Sequence, residues 1–271
     1  MRIRHKDSKI YLNQSTYLQK VIEHFNLQNV KPAPTPLPKD YQPSPMMENA
    51  SATLHSKYQQ VIGSLLYIML GMQLDIAFAV TKLSQFASNP TEKHVGKGLY
   101  ICHHLFGTPN YALVYNRPGN GSLLAYADSN WASNPNTRKS TSGYVVKLAG
   151  AIFSWNTCAQ KTVALSSTKA KYMSLSDTSC QLVWVRNLFS KLGIKLAPIP
   201  LFGDNCRDSL LYKGSEDDDE LGLEVTGWAW NKRTKTKTMM TATRKRVKGS
   251  MVAVRLRLWG GRQENSLRTV R

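Results

Sequence analysis

Cysteine is scarce in this chain of 271 residues, and its four cysteines lie far apart. They form no Cys-x-x-Cys pair, so their spacing favours neither a zinc site nor a disulfide framework. A free cysteine of this kind is most often buried and behaves as a small apolar side chain. We therefore expect reduced, structural thiols at Cys102, Cys158, Cys180 and Cys206.

Long hydrophobic runs are also missing, since a membrane-spanning helix needs about 18 consecutive apolar residues. The longest candidate, residues 61–72, contains Gly63 and Ser64 and is typical of a buried helix. The first residues lack the apolar core of a signal peptide. These absences predict an intracellular protein, cytoplasmic or nuclear, with no membrane partner.

Acidic residues are few, with 17 Asp and Glu against 36 Lys and Arg, which gives a formal net charge of +19. Residues 221–271 alone hold 13 Lys and Arg and two Glu. Such a balance favours a polyanionic partner, above all nucleic acid, and binding that weakens steeply with salt. The basic run 244–248 also fits a nuclear-localisation signal, although runs this short often occur by chance.

Histidine is absent after His104, which removes two kinds of site. Ser142 has no Gly-x-Ser-x-Gly elbow and no downstream histidine, so a serine-hydrolase triad is excluded. Cys102, His103 and His104 are consecutive on a predicted helix, where neighbouring side chains diverge, and no fourth ligand is spaced for zinc.

The first half of the chain is predicted to be mainly helical. Residues 1–30 indicate a small hairpin, with Asp7 and Ser8 in its turn, followed by a short helix. Six prolines fall within residues 31–45, so residues 31–53 are predicted to form an extended, exposed linker. Residues 54–116 show helical periodicity in three pieces.

The second half, residues 122–212, is predicted to be an α/β layer. Two apolar strand-like runs end in Asp128 and Asp204, and a long helix capped by Ser166 or Ser167 lies between them. Carboxylates gathered at strand ends suit hard divalent cations such as magnesium. Residues 213–271, an acidic run followed by a basic segment without steady period, are predicted to be disordered.

Four motifs of this half resemble, in the same order, the ribonuclease H domain of copia-type retrotransposon polyproteins. They are Tyr-Ala-Asp-Ser-Asn-Trp-Ala (126–132), Arg-Lys-Ser-Thr-Ser-Gly-Tyr (138–144), Gln-Lys-Thr-Val-Ala-Leu-Ser-Ser-Thr (160–168) and Gly-Asp-Asn (203–205). The first half is similar to the region after the polymerase palm of that family, through residues 31–37, 58–67, 75–80 and 88–91. The resemblance implies a ribonuclease H-like mixed sheet with flanking helices, preceded by a helical thumb or connection segment.

The resemblance also implies two Mg²⁺ ions, held by four carboxylates, that hydrolyse RNA in RNA/DNA hybrids. Asp128 and Asp204 match the first and third ligands, but Lys171 stands where the second, a Glu, is expected. Lys169 likewise replaces a nearby Glu. The fourth ligand, in a His-Ile-Asp phrase, is missing after Tyr212, and the polymerase's Tyr-x-Asp-Asp turn is missing altogether. Asp208 and residues 216–220 are stand-ins that no spacing supports. We therefore expect an inactive remnant, with Mg²⁺ its ancestral cofactor.

A second hypothesis is a non-catalytic nucleic-acid-binding module that uses the basic tail and the ribonuclease H-like surface. Lys169 and Lys171 could contact phosphates. Trp131, Trp155, Trp228 and Trp230 could stack on bases, with core packing as the alternative for the first two. The predicted partners are an RNA/DNA hybrid or other nucleic acid and the remaining parts of a Pol polyprotein. The residues expected to contact the nucleic acid are Arg138, Lys139, Ser140, Thr141 and Asn205.

Overall fold

The computed structural model describes residues 1–39, 41–43, 50–116 and 123–203 in full. Beyond residue 203 it describes only the backbone of residues 210–214, 223–231, 236–247 and 251–259. The chain divides into two compact units, Met1–Pro118 and Gly119–Arg271. Helices and two sheets are both present, so the expected α/β class is confirmed.

The first unit combines a small sheet with four helices. Strands β1 (Arg2–Lys6), β2 (Lys9–Asn13) and β3 (Leu113–Asn116) pair antiparallel in the order β1-β2-β3. Asp7 and Ser8 join β1 to β2 with positive φ angles of 49° and 59°, the conformation that a two-residue hairpin turn requires. The helices are α1 (Ser15–His24), α2 (Ala52–Gly71), α3 (Ala77–Ser84) and α4 (Glu92–Gly107), with a 3₁₀ turn at Leu74–Ile76.

Side-chain caps fix the starts of the two longer helices of this unit. The Ser51 hydroxyl accepts from the Leu54 amide at 3.3 Å before α2. Before α4, Thr91 Oγ1 accepts from the His94 amide, and His94 Nδ1 accepts from the Thr91 amide. Each cap satisfies amides that the first turn leaves unpaired, so both helix starts follow from local sequence.

Helices α2 and α4 cross closely over a continuous apolar core. Tyr58 is fully buried, and its hydroxyl donates to the Leu83 carbonyl at 2.7 Å. Burial raises the pKa of Tyr58 above its usual value. At Gly98 an added Cβ would lie only 2.7 Å from Val61 Cγ1, so the crossing depends on the missing side chain. The largest buried aliphatic side chains here are Leu18, Leu65, Ile68, Ile76, Leu83, Ile101 and Leu105.

The proline-rich linker is not exposed throughout, which corrects the expectation for its first part. Ala33 is buried, and its amide donates to the His103 carbonyl at 3.2 Å. His104 Nδ1 lies 3.0 Å from the Ala33 carbonyl, which can only accept, and Nε2 lies 3.1 Å from Asp75 Oδ2. Hydrogen bonds at the end of α4 thus hold a segment that composition alone suggests is free. Residues 40 and 44–49 of the linker lie outside the described residues.

Because the Cys102 thiol is buried, we expect it to react more slowly than the other cysteines of the folded protein. Burial raises the pKa of Cys102 to about 12, and it raises the pKa of the half-buried Cys158 above its usual value. Because the thiolate is the nucleophile, we expect iodoacetamide at pH 8 to modify Cys102 only in unfolded molecules. Peptide mass spectrometry over time tests this, with urea-unfolded protein as the control. Native modification of Cys102 as fast as that of Cys180 would contradict it.

The second unit is a mixed sheet crossed by one long helix. Its described elements are β4 (Leu123–Asn130), β5 (Thr141–Leu148), β6 (Ala151–Ala159), α5 (Ser167–Lys191), β7 (Ile199–Gly203), β8 (Leu210–Gly214), β9 (Leu223–Asn231), β10 (Thr236–Val247) and β11 (Met251–Trp259). The strand order is β11-β10-β9-β8-β7-β4-β5-β6. Strands β4 and β7 are parallel, joined through β5, β6 and α5, and the other described pairs are antiparallel.

Helix α5 covers one face of strands β4, β5 and β7. Alternate residues of β4, namely Leu123, Ala125 and Ala127, point to this side and are buried. They pack with residues of α5 and the neighbouring strands, since side chains alternate between the two faces of a strand. The other members of this core are Val146, Leu182, Val185, Ile199 and Leu201.

The segment expected to be disordered, residues 213–271, carries backbone strands β9 to β11 at its described positions. In β11, Val252, Val254, Leu256 and Leu258 occupy every second position, a period of two that a search for helical spacing does not detect. The acidic run 216–220 lies outside the described residues. Disorder of the tail as a whole therefore stays a prediction.

Candidate functional site at the strand ends of the second unit

Asp128 lies near the end of β4, on the face of the sheet opposite α5. Its neighbour Ala127 is buried against the core, whereas the Asp128 side chain is exposed. On β5 the residue opposite Asp128 is Gly143. The carboxylate is therefore accessible beside a position that carries no side chain.

Ser174 fixes α5 against this strand end. Its hydroxyl donates to the Asp128 carbonyl at 2.7 Å. Lys171 precedes Ser174 by three residues, so it lies on the same face one turn nearer the helix start, and it is half-buried. The structure thus places the expected Glu position, now Lys171, on the helix face turned towards the Asp128 strand end.

The start of α5 is set by Ser166, whose hydroxyl accepts from the Lys169 amide at 3.1 Å. This resolves the choice between Ser166 and Ser167 as the cap. The first turn of α5 contains no acidic residue. Lysines 169 and 171 therefore stand near the positive end of the helix dipole, where anionic side chains are the stabilising choice.

The second aspartate expected at this site is Asp204. Asp204 and Asn205 lie outside the described residues, as does Asp208. The strand before Asp204 is described, and its last residue, Gly203, pairs in parallel with Ala127. The residues that precede Asp128 and Asp204 in the sequence are therefore neighbours across two strands.

The loop from β4 to β5 is held by its own polar side chains. Asn134 Oδ1 accepts from the amides of Asn136 and Thr137, both at 3.0 Å. Arg138 adopts a positive φ of 54°. This ordered turn presents Arg138 to solvent, whereas Lys139 is half-buried.

Ser140 differs from the expectation that its hydroxyl contacts nucleic acid. Its side chain is fully buried and accepts from the Ala132 amide at 3.1 Å. Thr141 Oγ1 lies 2.7 Å from Ser133 Oγ. Both hydroxyls hold the loop together, and in Ser140 burial removes the hydroxyl from the surface.

Gln160 is a site residue that sequence reasoning missed. It is buried, and its Nε2 donates to Ser142 Oγ and to the Ala170 carbonyl, both at 2.8 Å. Its own amide donates to the Ser140 carbonyl. Gln160 therefore ties the start of α5, one residue before Lys171, to β5. Gln160 is the first residue of the third motif, and that position was the sequence signal that could have identified it.

Comparison with known proteins shows which proteins this chain is similar to. It is 36% identical over 200 residues to the retrovirus-related Pol polyprotein from transposon RE1 of Arabidopsis thaliana, covering 72% of this chain and 13% of that protein. It is 33% identical over 192 residues to the corresponding polyprotein from transposon TNT 1-94 of Nicotiana tabacum, covering 69% and 14%. The chain is a homologue of transposon Pol polyproteins.

This Pol homologue spans about one seventh of the length of those polyproteins. It is also 41% identical over 128 residues to the secreted RxLR effector protein 161 of Plasmopara viticola, which covers 47% of this chain and 90% of that protein. No family model matches the chain. No solved structure matches it either.

The tryptophans of the Pol homologue differ in environment. Trp131 is 45% exposed, and its Nε1 donates to the Ala164 carbonyl at 2.9 Å, so core packing does not describe it. Trp155 is half-buried on β6. The side chains of Trp228 and Trp230 lie outside the described residues.

The described donor set does not fit a pair of magnesium ions. Lys171 is an ammonium group, which has no lone pair for a metal and repels it. Among the described residues, no group of three His, Cys, Asp or Glu side chains is arranged to hold an ion. No helix of the described residues has the length and hydropathy of a membrane span.

Proposed function

We propose that this Pol homologue is a remnant of the reverse transcriptase and ribonuclease H region, and that it does not cleave RNA in RNA/DNA hybrids. The observation that carries the proposal is the position of Lys171 on the face of α5 that Ser174 holds against Asp128. A carboxylate there would add a negative charge at the strand end that carries Asp128. A lysine there adds a positive charge, which opposes a bound cation.

The charge of the side chains determines whether this site can bind metal ions. Two-metal hydrolysis needs several anionic ligands at one point to hold the ions and to neutralise charge on the leaving oxygen. Replacing one anion by a cation changes the local charge by two units. For scale, two unit charges about 4 Å apart interact by about 4 kcal/mol at an effective dielectric constant of 20. A change of sign at a ligand position therefore weakens the binding of a cation.

The strand arrangement supports the ribonuclease H ancestry without depending on the motifs. Antiparallel strands β4, β5 and β6 are followed by α5 and then by β7, which returns parallel to β4. This order of strands and helix supports the proposal, because the resemblance implies a mixed sheet with flanking helices. The motif residues fall at the ends of strands and at the start of the helix, where a catalytic centre could form.

A cleavage assay on the full chain tests the proposal. The substrate is an end-labelled RNA/DNA hybrid in Mg²⁺, and we expect no fragments above the level of the Asp128→Asn variant. Lys171→Glu alone should not restore full turnover, because the fourth carboxylate is also missing. Magnesium-dependent cleavage by the unmodified chain that Asp128→Asn abolishes would refute the proposal. Full turnover by Lys171→Glu would show that no fourth ligand is needed.

Nucleic-acid binding is a second candidate function, favoured by the charge of the second unit. Residues 123–203 contain nine Lys and Arg against two Asp and no Glu. Salt titrations with hybrid, duplex and single-stranded oligonucleotides test it, because each phosphate contact adds to the dependence of log K on log salt. Preference for the hybrid would indicate a retained ribonuclease H-like surface.

A further inference from the structure

The face of the second sheet opposite α5 is lined by aromatic and aliphatic side chains. Side chains alternate between the two faces along a strand. Ala125, Val146 and Leu201 point to the core beneath α5, so the residues adjacent to them in sequence point to the opposite face. Among residues 123–203, α5 is the one helix. The opposite face is thus not covered by a helix from these residues.

Four residues on this face form a row across four neighbouring strands. The strand registers pair Phe202 with Tyr126, Tyr126 with Val145, and Val145 with Trp155. We call Phe202, Tyr126, Val145 and Trp155 the aromatic row. Neighbouring strands are about 4.8 Å apart, so the row extends for roughly 14 Å.

Tyr126 is the accessible centre of the row. Its side chain is 42% exposed. Its ring stacks on that of Phe202, with centroids 5.2 Å apart and planes inclined by 23°. Lys147 Nζ lies 6.0 Å from the centre of the Tyr126 ring. Aromatic rings and the Lys147 ammonium group therefore lie next to each other on this face.

Basic residues gather at one end of the same sheet. Strand β4 ends there, β5 begins there, β6 ends there and α5 begins there, because β4 and β5, like β5 and β6, are antiparallel. The connections at this end carry Arg138, Lys139 and Lys161, and the start of α5 carries Lys169 and Lys171. We call these five residues the strand-end basic cluster. Asp128 is the one acidic residue on the described strands at this end.

This combination favours a nucleic-acid ligand over a polypeptide. A protein partner would gain from the apolar rings but would have no general reason to match five cations. A nucleic acid supplies phosphates for the strand-end basic cluster and flat bases for the aromatic row. The bases must be unpaired, because a duplex hides their faces.

We propose that the aromatic row binds about two or three unpaired nucleotides of single-stranded nucleic acid by base stacking, with the phosphates directed to the strand-end basic cluster. The proposal rests on the second candidate function, nucleic-acid binding, and assigns it to one surface. It is independent of the loss of cleavage. Stacking of this kind tolerates any base sequence, since every base presents a π face.

Fluorescence anisotropy with the full chain and a labelled 12-residue oligo-dT tests the surface. We expect Tyr126→Ala to weaken binding about tenfold, since one stacked base is worth about 1–3 kcal/mol. Tyr126→Phe keeps the ring and should stay within about twofold of the unmodified chain. Trp184→Ala removes a 55% exposed aromatic of α5 and should have no effect. Lys161→Met removes an exposed cation of the strand-end basic cluster and should reduce the slope of log K against log salt by about one.

The other possible results contradict the proposal, and each indicates a different explanation. Equal losses from Tyr126→Ala and Trp184→Ala, or none from either, would show binding by charge alone. Absence of binding to the single strand would defeat both the surface and the second candidate function, whatever the cleavage assay gives. Light scattering that shows a dimer lost in Tyr126→Ala would make the face an interface between copies. If circular dichroism shows that Tyr126→Ala is unfolded, an unchanged salt slope in Lys161→Met still overturns the proposal.

Discussion

Replacing Tyr58 with Ala is expected to lower the free energy of unfolding of the first unit by about 3–5 kcal/mol, because it empties a fully buried site. Tyr58→Phe keeps the ring and removes only the hydroxyl, which leaves the Leu83 carbonyl without its donor. That change should cost about 1–2 kcal/mol. Urea unfolding followed by far-UV circular dichroism measures both values.

A matched control for Tyr58 lies on the same helix. Leu70 is also on α2 but is 70% exposed, so Leu70→Ala should change stability by no more than about 0.5 kcal/mol. Hydrogen exchange in α2 and α4 assigns the transition to this unit. Equal losses for Tyr58→Ala and Leu70→Ala would contradict the described core.

Replacing Gln160 with Leu should destabilise the second unit by about 2–4 kcal/mol, because two buried groups lose their donor. These groups are Ser142 Oγ and the Ala170 carbonyl. All six tryptophans of the chain lie at residue 131 or later, so tryptophan fluorescence during urea unfolding reports on this unit. The effect should be accompanied by faster hydrogen exchange at the start of α5.

Gln19→Leu is the control for Gln160. Gln19 lies on α1 of the first unit, and its side-chain bond to Glu23 is exposed to solvent. The fluorescence transition should not change in this variant beyond about 0.5 kcal/mol. A Gln160→Leu protein as stable as the unmodified chain would mean that Gln160 does not anchor α5.

Local patterns in the sequence predicted much of the secondary structure. The hairpin turn at Asp7 and Ser8 and the cap at Ser166 depend on residues close in the chain, so the sequence carries their signals directly. The fixing of Ala33 to α4 could not be predicted in this way. It depends on His103 and His104, about 70 residues away, and composition does not encode such a contact.

The residues of the candidate site were likewise predicted only where the signal is local in the sequence. Asp128 and Lys171 were found because motif order and residue chemistry single them out. Burial of Ser140 was missed because a hydroxyl next to Arg138 and Lys139 fits a phosphate contact equally well in the sequence. The aromatic row needs the pairing of four strands, and no pattern within one strand specifies that register.

The two hydrophobic cores have no residue in common, since one lies within residues 18–105 and the other within residues 123–201. A substitution that empties one core therefore removes no side chain from the other. Under the proposed loss of cleavage, substitutions can therefore accumulate in the two cores at separate rates.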